Sequence, residues 1–134
     1  MTIFVINKIM KISKRIRYGL RALLYLSKKK NFASVEEISK KEQIPSKYLE
    51  KILLELKRKK ILASKRGTGG GFKLNLKEIS LKDLIEILDY PFLSPICKKT
   101  CPIKNCQAKY IWLKVQNKLA KELNKLKVKN ANTK

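Results

Sequence analysis

The chain has 134 residues, 44% of them hydrophobic, with a formal charge of +23 and no histidine. That length builds one modest core, so one domain with a helical extension is the expected organisation, and no apolar run is long enough to cross a membrane as a helix. The charge favours a polyanionic partner through counterion release, which is independent of sequence.

Basic charge gathers at the beginning: Met1–Lys30 holds nine basic residues and no acid, whereas nine acids between Asn31 and Ile96 largely offset thirteen basic residues. Met1–Met10 is hydrophobic but short and lacks a small-residue cleavage site, so no signal peptide is expected.

Ser34 followed by Glu37 is a capping-box start, in which hydroxyl and carboxylate satisfy amides that the first helical turn leaves free. A helix is predicted from Ser34, with Val35 and Ile38 inward, ending near Gln43 because Pro45 disfavours helical geometry in the residue before it. Pro45 is expected at the first position of a second helix, where its missing amide proton loses no hydrogen bond. Along that helix Leu49, Ile52, Leu53 and Leu56 form a buried stripe, leaving Ser46, Lys47, Glu50, Lys51 and Lys57 facing elsewhere. Base readout uses the front of such a helix, where Ser46, Lys47 and Tyr48 stand, with Glu50 and Lys51 one turn on. Tyr48 has a second reading, as an amphipathic ring packed against the first helix or the base of the following hairpin.

Ile61–Arg66 and Phe72–Leu76 flank Gly67-Thr68-Gly69-Gly70-Gly71, and the alternating Phe72, Leu74 and Leu76 suit a half-buried strand. The glycines supply a hairpin tip able to adopt positive φ. A phosphate-cradling nucleotide loop is the sharper reading, but its Gly-Lys-Ser/Thr ending is missing. Two helices and a hairpin are the layout of a winged helix-turn-helix, built to lie on duplex DNA. Lys65, Arg66 and Thr68 then sit on the wing, where phosphate positioning is the commoner task of a basic side chain.

Ser80 and Asp83 form a second capping box, opening a helix with Leu81, Leu84, Ile85 and Leu88 on one side, expected to pack on the winged-helix core. Beyond Pro91 and Pro95 lies Cys97-Lys98-Lys99-Thr100-Cys101-Pro102-Ile103-Lys104-Asn105-Cys106, which holds all three cysteines. Thiols this close, without a secretion signal, favour a metal or redox site over a disulfide framework, and the lysines among them favour the thiolate form. From about Cys106 to Lys127 a long helix is predicted, with Ile111, Val115, Leu119, Leu123 and Leu126 forming a stripe suited to a helix–helix seam. Val128–Lys134 is polar and is expected to fray.

Three stretches together resemble the Rrf family of bacterial winged-helix regulators: Ile12–Leu23 its opening helix, Ile44–Leu53 its recognition helix and Lys65–Phe72 its wing. The resemblance implies a mostly α fold with a small β-hairpin: a winged helix-turn-helix over 10–90, a cysteine loop over 91–106, a dimerisation helix over 107–127 and a tail over 128–134. It implies a homodimer reading a pseudo-palindromic duplex site, with site discrimination at Glu50 and minor-groove contact at Arg66. The family's opening helix begins close to the start methionine, so residues 1–9 read as an N-terminal extension or a misassigned start.

The family's cluster-binding branch carries a cysteine-lined loop here, which makes Cys97, Cys101 and Cys106 the expected ligands of an iron–sulfur cluster, 2Fe–2S or 4Fe–4S. The chain departs from the pattern in two ways. Its gaps of three and four residues are tighter than the usual ones, and the positions from which the family's sensors draw a fourth ligand hold Lys109 and Arg17. Without histidine, a fourth ligand is a carboxylate, a solvent molecule or small thiol, or a less usual nitrogen donor. Structural zinc faces the same shortage; a metal-free thiol sensor or a vestigial loop needs no such ligand.

The leading reading is a cytoplasmic, dimeric, non-enzymatic transcription regulator whose DNA affinity follows the state of the loop, through redox, iron–sulfur or nitric oxide status. A cluster-free, thiol-responsive or partner-regulated DNA-binding protein is the near alternative. A basic RNA- or ribosome-associated metal-binding protein accounts for the charge but not for the wing or the apolar stripe. A thiol enzyme lacks both a histidine base and a Cys-x-x-Cys pair.

Overall fold

The computed structural model describes residues 12–89 and 101–132, so Cys97, Pro91, Pro95 and the 1–9 extension lie outside the described residues. Helix α1 (Lys14–Ser27) starts where the Ser13 hydroxyl accepts a hydrogen bond from the Ile16 amide at 3.3 Å. Helix α2 (Val35–Glu42) starts at the expected Ser34 cap, whose Oγ accepts from the Glu37 amide at 3.1 Å. It stops at Gln43, whose φ of 54° is left-handed, and the Ile44 amide reaches back to the Ser39 carbonyl. Helix α3 (Ser46–Arg58) closes on left-handed Lys60, with the Lys60 amide on Lys57 O and the Ile61 amide on Leu56 O, the two bonds of a Schellman motif.

Pro45 is not the first residue of α3. With φ −56° and ψ 127° it stands one position outside, because its ring fixes φ but leaves ψ free to be extended. Strands β1 (Leu62–Lys65) and β2 (Gly71–Leu74) form the antiparallel wing, with Leu62 opposite Leu74 and Lys65 opposite Gly71; Leu76 lies past the end of β2. Strand β3 (Glu78–Ser80) runs into α4 (Leu81–Leu88), whose Ser80 cap accepts from the Asp83 amide at 3.1 Å. Helix α5 (Gln107–Lys125) and strand β4 (Lys127–Lys129) complete the described chain.

The core forms where α1, α2, α3 and α4 meet: Leu23, Leu26, Ile38, Leu49, Ile52, Leu53, Leu56 and Leu84 are fully buried. Each such side chain withdrawn from water contributes roughly 1.5 to 3 kcal/mol. Gly19 lets α4 lie close on α1, since a Cβ there would stand 2.4 Å from Leu88 Cδ1. One turn earlier, Arg15 Nε donates to the Leu88 carbonyl at 3.1 Å. The fold is that of a winged helix with an added C-terminal helix.

The described residues after α5, up to Asn132, are held rather than frayed. Strand β4 pairs antiparallel with β3, and buried Val128 stands opposite Ile79. The Asn130 side-chain amide donates to the carbonyls of Leu74 and Leu76, while the Ala131 amide donates to Ser27 O. The helix accordingly stops at Lys125, short of Lys127: Leu126 is extended and its carbonyl accepts from the Leu81 amide at 2.7 Å.

A polar tie joins α1 to α2. Tyr25 donates its hydroxyl to Glu37 Oε2 at 2.5 Å, and Lys29 Nζ lies 3.0 Å from the same carboxylate. The tyrosine hydrogen bond, then Lys29, hold the Glu37 carboxyl below its ordinary 4.5. The same bond, with desolvation, pushes Tyr25 up to about 12.

Glu37→Gln is expected to lower stability by about 1 to 2 kcal/mol near neutral pH, measured by chemical unfolding. Because the folded-state pKa of Glu37 is depressed, its contribution is present above 4.5 and is lost as pH falls through the folded value. Tyr25 is shifted upward, so its contribution is present below 10 and is lost as pH rises toward about 12. The wild type and the Glu37→Gln variant should converge in stability as pH falls from 4.5 through the lower folded value; a gap that does not narrow over that fall would show that the carboxylate charge is not the tie.

Candidate functional site

Helix α3 turns its apolar stripe into the core, and the 3.6-residue period therefore leaves Ser46, Lys47, Glu50 and Lys51 exposed on the other side. Tyr48 sits between the two environments. Its ring meets that of Tyr18 on α1 edge-on, with centroids 5.6 Å apart at 83°, while 36% of the residue stays exposed. Tyr48 thus packs against the first helix, as its second reading expects, and keeps part of its surface open to solvent.

Lys65, Arg66 and Thr68 are exposed around the wing tip. Gly67 and Gly69 adopt φ of 91° and 74°, and the Gly70 amide donates across the turn to Gly67 O at 2.9 Å. Gly71 is required twice over: its φ is 133°, and a Cβ would stand 2.1 Å from the Ala33 carbonyl oxygen. There Phe72 and Ala33 exchange two backbone hydrogen bonds of 2.8 and 2.9 Å, stitching the wing to the residue just before the Ser34 cap of α2. The tip is therefore held in register with the helix-turn-helix.

Among the described residues, Lys47, Glu50, Lys51, Lys65 and Arg66 enter no ion pair, so their charges are available to a partner. The structure adds Lys73, whose Nζ lies 6.0 Å from the Phe32 ring centroid. Its place between buried Phe72 and Leu74 was the strand-alternation signal that turns it outward.

Of the cysteines, Cys101 is exposed and Cys106 is partly buried; both are free thiols. Cys106 flanks the start of α5 with extended dihedrals and follows left-handed Asn105. Cys106 at the helix start and exposed Cys101 in the preceding loop are soft donors suited to thiolate ligation, yet with Cys97 the set counts three, one short of the usual four. Among the described residues no three Cys, His, Asp or Glu side chains converge. Lys109 is exposed on α5. Arg17 instead lines an apolar cavity of about 140 Å³ with Ile16, Ile85 and Leu123, its Nε buried without an acceptor among the described residues.

The stripe on α5 divides. Leu123 is buried against α4, whereas Ile111, Trp112, Val115 and Leu119 are exposed along the preceding turns. No described helix is long and apolar enough to cross a membrane.

Set beside known proteins, residues 12–132 match the Rrf2 family, described as an iron-dependent transcriptional regulator. The chain is 30% identical over 102 residues to an rrf2-like HTH-type transcriptional regulator of Rhodobacter capsulatus, a match covering 71% of this chain and 68% of that protein. It is 34% identical over 86 residues to the HTH-type transcriptional regulator IscR of Cereibacter sphaeroides, where it covers 60% of this chain and spans only 56% of that relative. The solved structure of CymR, the global cysteine regulator of B. subtilis, is similar in fold, with a TM-score of 0.75 at 23% identity over 89% of this chain and 93% of that one.

Gly71→Ala is expected to destabilise the fold by roughly 1 to 3 kcal/mol, through backbone strain and the clash with Ala33 O. Gly67→Ala, whose added Cβ would meet nothing within 4 Å, is the milder control at about 1 kcal/mol. Equal thermal unfolding midpoints for the two variants would contradict the stitched wing.

Proposed function

The chain belongs to the Rrf2 family of transcriptional regulators, and we propose that it binds duplex DNA through the front of α3 and the wing, its affinity governed by the cysteine loop. The observation that carries the reading is the exposed set Lys47, Glu50, Lys51, Lys65 and Arg66, without ion pairs among the described residues, on α3 and on a wing that the Ala33–Phe72 bridge ties to the start of the helix-turn-helix. Ser46, Lys47 and Tyr48 are placed to meet base edges in the major groove, while Lys65, Arg66 and Thr68 meet the backbone and minor groove. The exposed stripe from Ile111 to Leu119 supports a homodimer, and two-fold symmetry then calls for a pseudo-palindromic site. The protein acts in the cytoplasm and performs no catalysis.

Cys97, Cys101 and Cys106 would hold an iron–sulfur cluster, a reading that the description of the family as iron-dependent supports. When bound, the cluster supplies a centre that reacts with oxidant or nitric oxide. The residues transmit the change: a shift at Cys106 alters how α5 meets the winged helix, and with it the spacing of the two recognition helices. Such coupling requires that the occupied loop favour one arrangement over the other. The missing fourth donor favours a second reading, in which the same thiols respond directly, without metal.

Replacing Lys47 or Arg66 with alanine should weaken specific duplex binding by roughly 1 to 3 kcal/mol where the side chain reads a base, and should flatten the salt dependence where it contacts phosphate. Tighter binding of structured RNA than of duplex DNA at one salt concentration would overturn the DNA reading. For the loop, Cys97→Ala, Cys101→Ala or Cys106→Ala should each abolish the visible absorption of anaerobically prepared protein and leave DNA binding insensitive to oxidant. Arg17→Ala and Lys109→Ala should leave that absorption intact. Colourless, iron-free wild-type protein after anaerobic reconstitution would sink the cluster and leave the thiol response, for which only the disulfide-forming pair is needed.

A further inference from the structure

The end of α3 that faces DNA is the end its own residues hold least. Pro45 provides no side-chain cap, and Ser46, Lys47 and Tyr48 all lie in the uncapped first turn. The turn before it contains left-handed Gln43, a conformation that a residue with a Cβ adopts only when its surroundings impose it. Within the turn the Ser39 hydroxyl donates to the Ile44 carbonyl at 2.5 Å, and Ile44 is buried.

Two residues of α1, three apart and so on one face of that helix, reach the turn from outside. Arg21 donates from Nη2 to the backbone carbonyl of Glu42, the last residue of α2, and its Nε lies 3.9 Å from the Glu42 carboxylate. It thereby serves a carbonyl that the helix end leaves free and puts a cation at the negative end of the α2 dipole. Tyr18 presses its ring edge-to-face against Tyr48, on the far side of the turn. Arg21 grips the entry to the turn and Tyr18 its exit.

We propose that Tyr18 and Arg21 are positioning residues for DNA recognition: a brace on α1 that sets the direction in which the uncapped start of α3 leaves the turn, with neither residue touching DNA. This rests on the duplex-binding reading above. The brace acts on geometry, so its removal lowers affinity for a preferred sequence and spares the sequence-independent attraction to phosphate, which depends on net charge. Arg21 is the stricter case, because its side chain is 45% exposed and a direct phosphate contact is the competing role.

The test uses fluorescence anisotropy of the full chain with two probes, a duplex selected by the wild type from a random-sequence pool and a scrambled duplex of the same composition, each across a salt series. Tyr18→Ala should weaken binding to the selected duplex about 3- to 10-fold, the loss of one edge-to-face pair, and leave the scrambled duplex unaffected. Tyr18→Phe should bind as the wild type does, because the contact needs the ring and not the hydroxyl. Should Tyr18→Ala fold poorly, Tyr18→Leu keeps apolar bulk without the ring and should lose the same discrimination. In a Tyr48→Ala background, Tyr18→Ala should add nothing further.

Arg21→Ala should lower affinity for the selected duplex with an unchanged slope of log affinity against log salt, and Arg21→Gln, which retains an N–H donor for the Glu42 carbonyl, should recover part of the loss. A slope reduced by about one unit in Arg21→Ala would make Arg21 a phosphate contact and overturn the brace. So would an unchanged ratio of selected to scrambled affinity in Tyr18→Ala and Tyr18→Leu. A wild type that prefers no duplex sequence would instead overturn the recognition reading on which the brace depends.

Discussion

Two backbone hydrogen bonds between Ala33 and Phe72 are the constraint on which the geometry of the candidate interface depends. The wing is otherwise a two-stranded ribbon, and an isolated hairpin is only marginally stable in water. By pairing with the linker between α1 and α2, β2 acquires a second partner opposite β1, and that contact falls one residue before the Ser34 cap. Helix start and wing strand are therefore set by neighbouring peptide units. The close approach explains why position 71 holds glycine: the bridge brings the Ala33 carbonyl to where any Cβ would stand.

Much of this was legible in the residues themselves, because the signals are local. Ser34 with Glu37 and Ser80 with Asp83 declare helix starts three residues apart, and in both the serine hydroxyl takes the expected amide, while the Glu37 carboxylate turns instead to Tyr25 and Lys29. The α3 stripe follows from the helical period, and the glycine tip from the need for positive φ. The family resemblance extended that reading to the opening helix, and the match over residues 12–132 bears it out. What escaped is non-local or marginal. Strand β4 is three residues long, Lys-Val-Lys, with one inward side chain, Val128, whose strand partner Ile79 lies 49 residues earlier; nothing in a polar ending of that length marks a strand. Pro45 stands one residue outside its expected place because its ring dictates φ alone. The tie of Tyr25 to Glu37 joins separate helices, and no periodicity within either helix announces it; the packing of Tyr48 on the first helix is one of its two readings, but not Tyr18 as its partner.

The candidate interface shows the same division. Helical and strand periods say which side chains turn outward, and Ser46, Lys47, Glu50, Lys51, Lys65, Arg66 and Thr68 do so. They cannot say how two outward-facing groups are held relative to each other. That depends on the bridge at Ala33, the close packing at Gly19 and the side chains of α1. The cysteine segment lies furthest from such rules, since ligand geometry depends on loop conformation rather than on a repeating period, and the resemblance leaves its fourth donor unfilled.

Strand β4 gives α5 a particular mechanical character. The helix is pinned at its C-terminal end, where Leu123 is buried and the following residues pair with β3, while Cys106 marks its other end. From Cys106 to Leu123 the helix runs about 25 Å at 1.5 Å per residue, so a pivot near Leu123 turns a tilt of about 10° into a displacement of about 4 Å at the cysteine. Read in the opposite direction, the helix is a reducing lever: a large excursion at the thiol end arrives at β3 and the wing base as a small, forceful rotation. A displacement at Cys106 would thus enter at the end of the long arm, with buried Leu123 and the pairing of β4 with β3 as its fulcrum.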